Sequence, residues 1–263
     1  MLSFFYASTL SQVGHACSSD TLSAHWAALK EKGVIPRENE KDDYRATSGH
    51  NPKVRNKVAE GGTDMREFLE EGNLIHEALR LRHHSGAHFN VCQTGFNAGV
   101  SALAWLCNTP QSVLVHSFDL GEHDYVHTAR DILDKEYIGR HRLVLGSSLE
   151  TLPAEERGSL KCDFVFVDGG HTTEIATSDI FWFGRMSRPG TPIVVDNCNV
   201  FGRSARGSYG GTPTVNAAYI AAIGKSGNVS HVKQVSTGPC HDTSRGHLCR
   251  ELCVGEYIRA GRE

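Results

Sequence analysis

The chain has 263 residues, enough for one large α/β domain with an appended segment or for two small domains. Apolar residues make up 39% and charged residues 22%, with 27 glycines, a balance that suits a soluble globular enzyme. The net charge of −3 supplies no basic excess for a nucleic-acid backbone, and no apolar run approaches the roughly 18 residues of a membrane span.

The start, MLSFFYASTL, has no basic n-region and is broken by Ser and Thr, so it is not read as a secretory signal. Leu22, Trp26 and Leu29 recur at helical spacing and predict a short helix over 22–32. Residues 33–62 are polar and loop-like, with Pro36, Pro52 and the Gly61-Gly62 pair. A helix is expected from Thr63, an N-cap with Glu67 a few residues on, through Leu69, Leu74, Ile75 and Leu79. Residues 1–62 are therefore treated as an extension and 63–263 as the main domain.

From residue 88 short apolar runs alternate with helical patterns, the signature of βαβ units on a parallel sheet. Strands are predicted at Phe89–Thr94, Val113–Phe118, Arg142–Leu145, Asp163–Val167 and Pro192–Val195. Helices are predicted at Ala98–Cys107, Asp124–Lys135, Thr172–Met186 and Thr214–Ile223, with two further strands at Ser230–Ser236 and His247–Tyr257. The eight cysteines fall largely inside apolar runs, where a reduced cysteine is a small hydrophobe, so no disulfide framework is expected and a cytoplasmic setting is implied.

In such a sheet, ligands bind beyond the carboxyl ends of the strands, so the residues just after each strand carry the information. After the first comes Gln93-Thr94-Gly95-Phe96-Asn97-Ala98-Gly99-Val100-Ser101, with glycines that admit a tight turn and a helix N-terminus open to an anionic group. Asn97 and Val100 stand where a dinucleotide fingerprint needs glycine, which weakens a pyrophosphate ligand. The second strand ends in Asp119-Leu120, an acid able to accept from a ribose diol, and the third in Ser147-Ser148, able to edge an adenine or to cap a helix. The fourth delivers Asp168-Gly169-Gly170-His171 and the fifth Asp196-Asn197. Adjacent parallel strands would bring Asp168, Asp196 and Asn197 to one rim as oxygen donors for Mg²⁺, Mn²⁺ or Ca²⁺; otherwise Asp196 caps a turn and Asp168 alone functions. An imidazole, with its ordinary pKa of about 6.5, makes His171 a candidate base.

The segments QTGFNAGVSA, SFDLG, LGSSLETLP, FVFVDGGHTTE and RPGTPIVVDN, in this order, resemble class I S-adenosylmethionine-dependent methyltransferases. The closest likeness is to the metal-dependent small-molecule O-methyltransferases of the catechol and caffeoyl-CoA type and their sugar-tailoring relatives. The resemblance implies a Rossmann-like, doubly wound, mostly parallel seven-stranded sheet with an antiparallel last strand, plus an N-terminal helical extension. It implies S-adenosylmethionine as cofactor, held by Gln93, Thr94, Gly95, Asn97, Gly99 and Ser101 around the methionine, Asp119 and Leu120 at the ribose, and Ser147 and Ser148 at the adenine, with Asp168 adjoining. Asp168, Asp196 and Asn197 match the metal triad, and His171 falls where those enzymes carry a catalytic lysine.

Two departures stand out. The family's first-strand acid is Gln93 here, and the aspartate often found after the third strand is Ser147. The expected reaction is methyl transfer to a small-molecule acceptor, as O-methylation of a metal-chelated hydroxyl, with neither nucleic acid nor membrane as partner. Residues 1–62 would serve as a lid, a substrate contact or a homodimer contact. The alternatives are a metal-independent N- or C-methyltransferase, a nucleotide-dependent oxidoreductase, and a non-catalytic binding protein on this fold. A zinc site at Cys240, His241, His247, Cys249 and Cys253 is disfavoured, because tight Cys-x-x-Cys pairs are absent.

Overall fold

The structure is a computed structural model and describes residues 17–36, 58–59, 73–75, 78–79, 88–198, 213–224, 227–236, 241–243, 246–248 and 251–259. Its elements in chain order are α1 (Ser19–Glu31), β1 (Ile35–Pro36), β2 (Val58–Ala59), β3 (Phe89–Thr94), α2 (Val100–Cys107), β4 (Val113–Asp119), α3 (Asp124–Glu136), β5 (His141–Leu145), α4 (Ser148–Arg157), β6 (Phe164–Val167), α5 (Thr173–Met186), β7 (Pro192–Val195), α6 (Pro213–Ile223), β8 (Val229–Ser236), β9 (His241–Thr243), β10 (Gly246–Leu248) and β11 (Glu251–Tyr257).

Seven strands form one sheet in the order β5-β4-β3-β6-β7-β11-β8. β3 through β7 pair in parallel with one another, and β11 runs antiparallel to both β7 and β8. The expected doubly wound architecture with its reversed last strand is what the chain forms. Side chains alternate between two apolar layers, as a strand period of two requires. Val91, Phe164, Phe166 and Val194 face the layer under α1, α2 and α3, while Cys92, Val165, Val167, Ile193 and Val195 face the layer under α5 and α6. Both faces being covered, FVFV of β6 is buried at all four positions. Trp105 of α2 anchors one layer, its ring 5.3 Å from those of Phe164 and Phe166.

Several local expectations shift. The first helix starts earlier, at Ser19, because Ser18 caps it and pairs reciprocally with Thr21. Ser148–Arg157 is a full helix despite Pro153, with Leu152 wholly buried against the sheet as its anchor. β1 and β2 make a short parallel ladder inside the stretch expected to be loop. The single C-terminal strand expected over 247–257 is divided into β10, which pairs with β9, and β11. Leu74, Ile75 and Leu79 are helical and buried as expected; Thr63, Glu67 and Leu69 lie outside the described residues, as do Gly238, Pro239, Cys240 and Cys249.

The expectation of reduced cysteines is overturned. Three disulfides join Cys17 to Cys107, Cys92 to Cys162, and Cys198 to Cys253, with Cα separations of 5.5, 5.7 and 5.4 Å. The partners are distant in sequence, so no spacing announces them. Strand pairing brings the last pair together: Cys253 lies in β11 opposite Val195, and the Cys198 N–H donates to the Glu251 carbonyl. Among the described residues no helix is long and apolar enough to cross a membrane.

Each bond closes a long loop, which in chain-entropy terms is worth about 4 kcal/mol before any offsetting strain. Thiol titration of the denatured, unreduced protein should find no more than the two cysteines outside the described residues. Reductant should lower the thermal midpoint by several degrees; an unchanged midpoint with eight reactive thiols would contradict the pairing.

Candidate active site

The sheet reverses its winding between β3 and β6, and their carboxyl ends open a crevice there. The loop leaving β3 has left-handed backbone at Gly95 (φ 82°), Asn97 (φ 49°) and Gly99 (φ 78°). Gly95 is the most constrained of them. A Cβ there would stand 1.9 Å from the carbonyl oxygen of Asp168, so the backbones of the two strand ends touch. Asn97 accepts left-handed backbone more readily than most residues, and the Tyr125 hydroxyl donates to its Oδ1 at 2.8 Å.

Asp119 organises this loop. One carboxylate oxygen accepts from the N–H groups of Phe96 and Asn97, both at 2.9 Å, and the other from Gly121 at 2.8 Å. A carboxylate has about four acceptor positions, so three backbone bonds leave one for a further donor. Gly99 caps α2 without a side-chain bond, and Ser101 lies in its first turn. Farther along the same rim are Leu120, Leu145 and Leu149, all exposed although apolar, with Ser147 capping α4 and Ser148 opening it. Exposed leucines beside an acid match a flat ring with an attached sugar better than open water.

Gln93 and Thr94 do not reach this rim. Gln93 is wholly buried: its Oε1 accepts from the Trp105 indole at 2.6 Å and its amide donates to Ser117 at 3.1 Å. From Ser117 the chain continues to His141 at 3.1 Å and on to Asp134 at 2.9 Å. Burial holds the His141 pKa below its ordinary value, with Asp134 opposing. Ser117, His141 and Asp134 lie in the order of a nucleophile relay. Ser117 is sealed under Gln93, however, so the relay is structural. Thr94 is buried beneath Gly169, where an added Cβ would lie 3.0 Å from its side chain.

Asp168, His171, Asp196 and Asn197 do come together. His171 Nε2 lies 3.8 Å from an Asp168 carboxylate oxygen and 3.4 Å from the Asn197 amide nitrogen. Asn197, with φ 53°, donates to Asp196 from its backbone at 2.6 Å and from its side chain at 3.2 Å. Thr214 of α6 donates to the His171 carbonyl, and Thr172 caps α5 immediately after it. Asp168 and His171 face the open edge, whereas Asp196 is 2% exposed. Among the described residues no group of three or more His, Cys, Asp and Glu side chains is arranged to hold a metal. The set at hand is two carboxylates, a carboxamide and an imidazole. Its oxygens are of the kind a hard divalent ion takes, and both oxygens of Asp196 already accept from Asn197.

Sequence reasoning missed Asp179, Tyr125 and His25, which no post-strand position signals. Asp179 of α5 is 0% exposed, and a Cβ on Gly169 would lie 2.9 Å from its Oδ2. Burial pushes its carboxyl up to about 6; the Ser148 and Thr94 hydroxyls pull the other way but form no well-aligned hydrogen bond with it. Its folded pKa lies above the ordinary value, so the stability it contributes is present in acid and lost as pH rises through about 6. Asp179→Asn should therefore stabilise the protein at pH 8, by up to about 2 kcal/mol, and leave it unchanged near pH 3. Denaturant unfolding at both values checks this; destabilisation at pH 8 would contradict it.

Comparison with known proteins agrees with this geometry. Residues 92–198 match a family model described as a methyltransferase domain. An O-methyltransferase of Bacillus cereus in complex with SAH is 15% identical, with TM-score 0.59 over 91% of this chain and 92% of that one. The O-methyltransferase TomG of Streptomyces achromogenes, in complex with SAM, is 19% identical with TM-score 0.57 over 93% and 92%. The SAH-bound methyltransferase PaMTH1 of Podospora anserina is 16% identical with TM-score 0.54 over 93% and 90%. Comparison with curated proteins finds no match. Residues 92–198 match the model of a methyltransferase domain, and the chain shares the fold of these solved O-methyltransferases.

Proposed function

We propose that this protein transfers the methyl group of S-adenosylmethionine to a hydroxyl of a small-molecule acceptor. The observation that carries this is the continuous rim from the Gly95 loop through Asp119 to Asp168 and His171 at the reversal of the sheet. The donor's methionine would lie along 95–101, its ribose at Asp119 and its adenine among Leu120, Leu145, Leu149 and Ser148. The solved structures of similar fold that hold SAM or SAH support this placement.

The sulfonium activates its own methyl group, so the protein has to align the acceptor oxygen and remove its proton. The acceptor oxygen forms the new bond to the methyl carbon as the carbon–sulfur bond breaks, leaving neutral S-adenosylhomocysteine. His171, half-exposed beside Asp168, takes the hydroxyl proton. Asp168 favours the imidazolium that results. A divalent ion, Mg²⁺ with Mn²⁺ or Ca²⁺ as substitutes, would be held by Asp168 and Asn197 with Asp196. It would supply Lewis acidity that lowers the hydroxyl pKa. A metal-independent transfer is the second reading, favoured by the hold of Asn197 on the Asp196 carboxylate.

The three disulfides favour an oxidising setting over the cytoplasm expected from sequence. The acceptor would be a phenol, a sugar or a small acid, a choice that loops rather than the sheet make.

Calorimetry should show S-adenosylhomocysteine binding that survives EDTA; no binding would refute the donor assignment. Formation of S-adenosylhomocysteine is then monitored over a panel of catechol-type phenols and sugars. EDTA should abolish turnover, and full activity in metal-free protein would leave the metal-independent reading. His171→Ala should lower kcat by about 10²-fold or more and remove the acid limb of the pH profile, with donor affinity kept. Unchanged kcat would rule His171 out as base.

A further inference from the structure

His25 lies on α1, well outside the segment 92–198 that matches the methyltransferase domain, yet it is 4% exposed. Its Nε2 stands 2.8 Å from the carbonyl oxygen of Ala98. Ala98 is the middle residue between left-handed Asn97 and left-handed Gly99, at the crest of the loop assigned to the donor. A carbonyl can only accept, so Nε2 carries the proton and Nδ1 is the bare nitrogen. Among the described residues Nδ1 has no hydrogen-bond partner, and burial lowers the imidazole pKa, which favours the neutral ring in this tautomer.

The helix that presents His25 is firmly attached. Leu22 and Leu29 are buried in the layer that also holds α2 and α3. Cys17, just before α1, is bonded to Cys107 at the end of α2, and its N–H donates to Asn108 at 3.3 Å. Three consecutive loop residues are thus pinned from three elements: Phe96 and Asn97 by Asp119, Asn97 again by Tyr125, and Ala98 by His25. Left-handed backbone at a non-glycine residue costs on the order of 1 kcal/mol, so such a loop keeps its shape only when held.

We infer that His25 is a positioning residue for the methyl-donor loop, so that the N-terminal helix is a working part of the donor site. This rests on the donor assignment above. Removing the imidazole leaves a buried carbonyl without this donor and frees the loop to sample other shapes, at a cost to donor affinity.

The test measures S-adenosylhomocysteine affinity by calorimetry, together with the thermal midpoint, in the full chain and in three variants. His25→Ala should weaken binding about tenfold. His25→Gln should restore most of it, since the glutamine amide nitrogen occupies the place of Nε2 and can donate to the same carbonyl. Leu29→Ala, which removes a wholly buried side chain from the same helix, should lower the midpoint and leave the affinity within about twofold of wild type. Wild-type affinity in His25→Ala overturns the inference alone. Equal loss in the Ala and Gln variants assigns the effect to packing and overturns it too, as does equal loss in Leu29→Ala. Failure of the wild-type protein to bind would remove the donor assignment first, and this inference with it.

Discussion

The backbone contact between Gly95 and the Asp168 carbonyl is the constraint on which the site depends. It joins the loop that leaves β3 to the first residue past β6, at the point where the sheet reverses direction. Any side chain at 95 would separate the two ends. The cost of that closeness is a loop with three left-handed residues, which cannot hold itself. Asp119, Tyr125 and His25 supply the missing restraint from β4, α3 and α1.

The carboxylate of Asp119 shows how one group can serve folding and binding at once. Three of its acceptor positions hold backbone N–H groups of the loop and the next turn. One direction remains open to a further donor. Asp179 stands below the same crevice with a different balance. It is a buried acid near two hydroxyls that form no well-aligned hydrogen bond with it. Groups that lower stability in this way gather at functional sites, and its place under Gly169 fits that pattern.

The strand ends were legible because a parallel sheet imposes one rule on all of them: the first residues past each strand lie at the ligand edge. Asp168, His171 and Asn197 obey it and meet. Gln93 shows where the rule stops. It belongs to the strand itself, and alternation turns its side chain inward, so its amide goes to Trp105 and Ser117. Pro153 hid α4 because the proline penalty is local, whereas Leu152 gains its burial from the sheet. The disulfides were illegible because their partners are far apart in sequence and meet only through strand and helix packing.

By itself, then, the sequence determined the alternation of strands and helices, the glycines that permit close approach, and the polar residues available at the rim. Those properties are local, encoded in hydrophobic period and backbone freedom over a few residues. Tertiary structure decided that Cys198 meets Cys253, that Asn197 faces His171, and that a helix near the start of the chain reaches the loop after β3. Each of those contacts joins segments whose separation along the chain carries no signal. Burial and strand order alone select them.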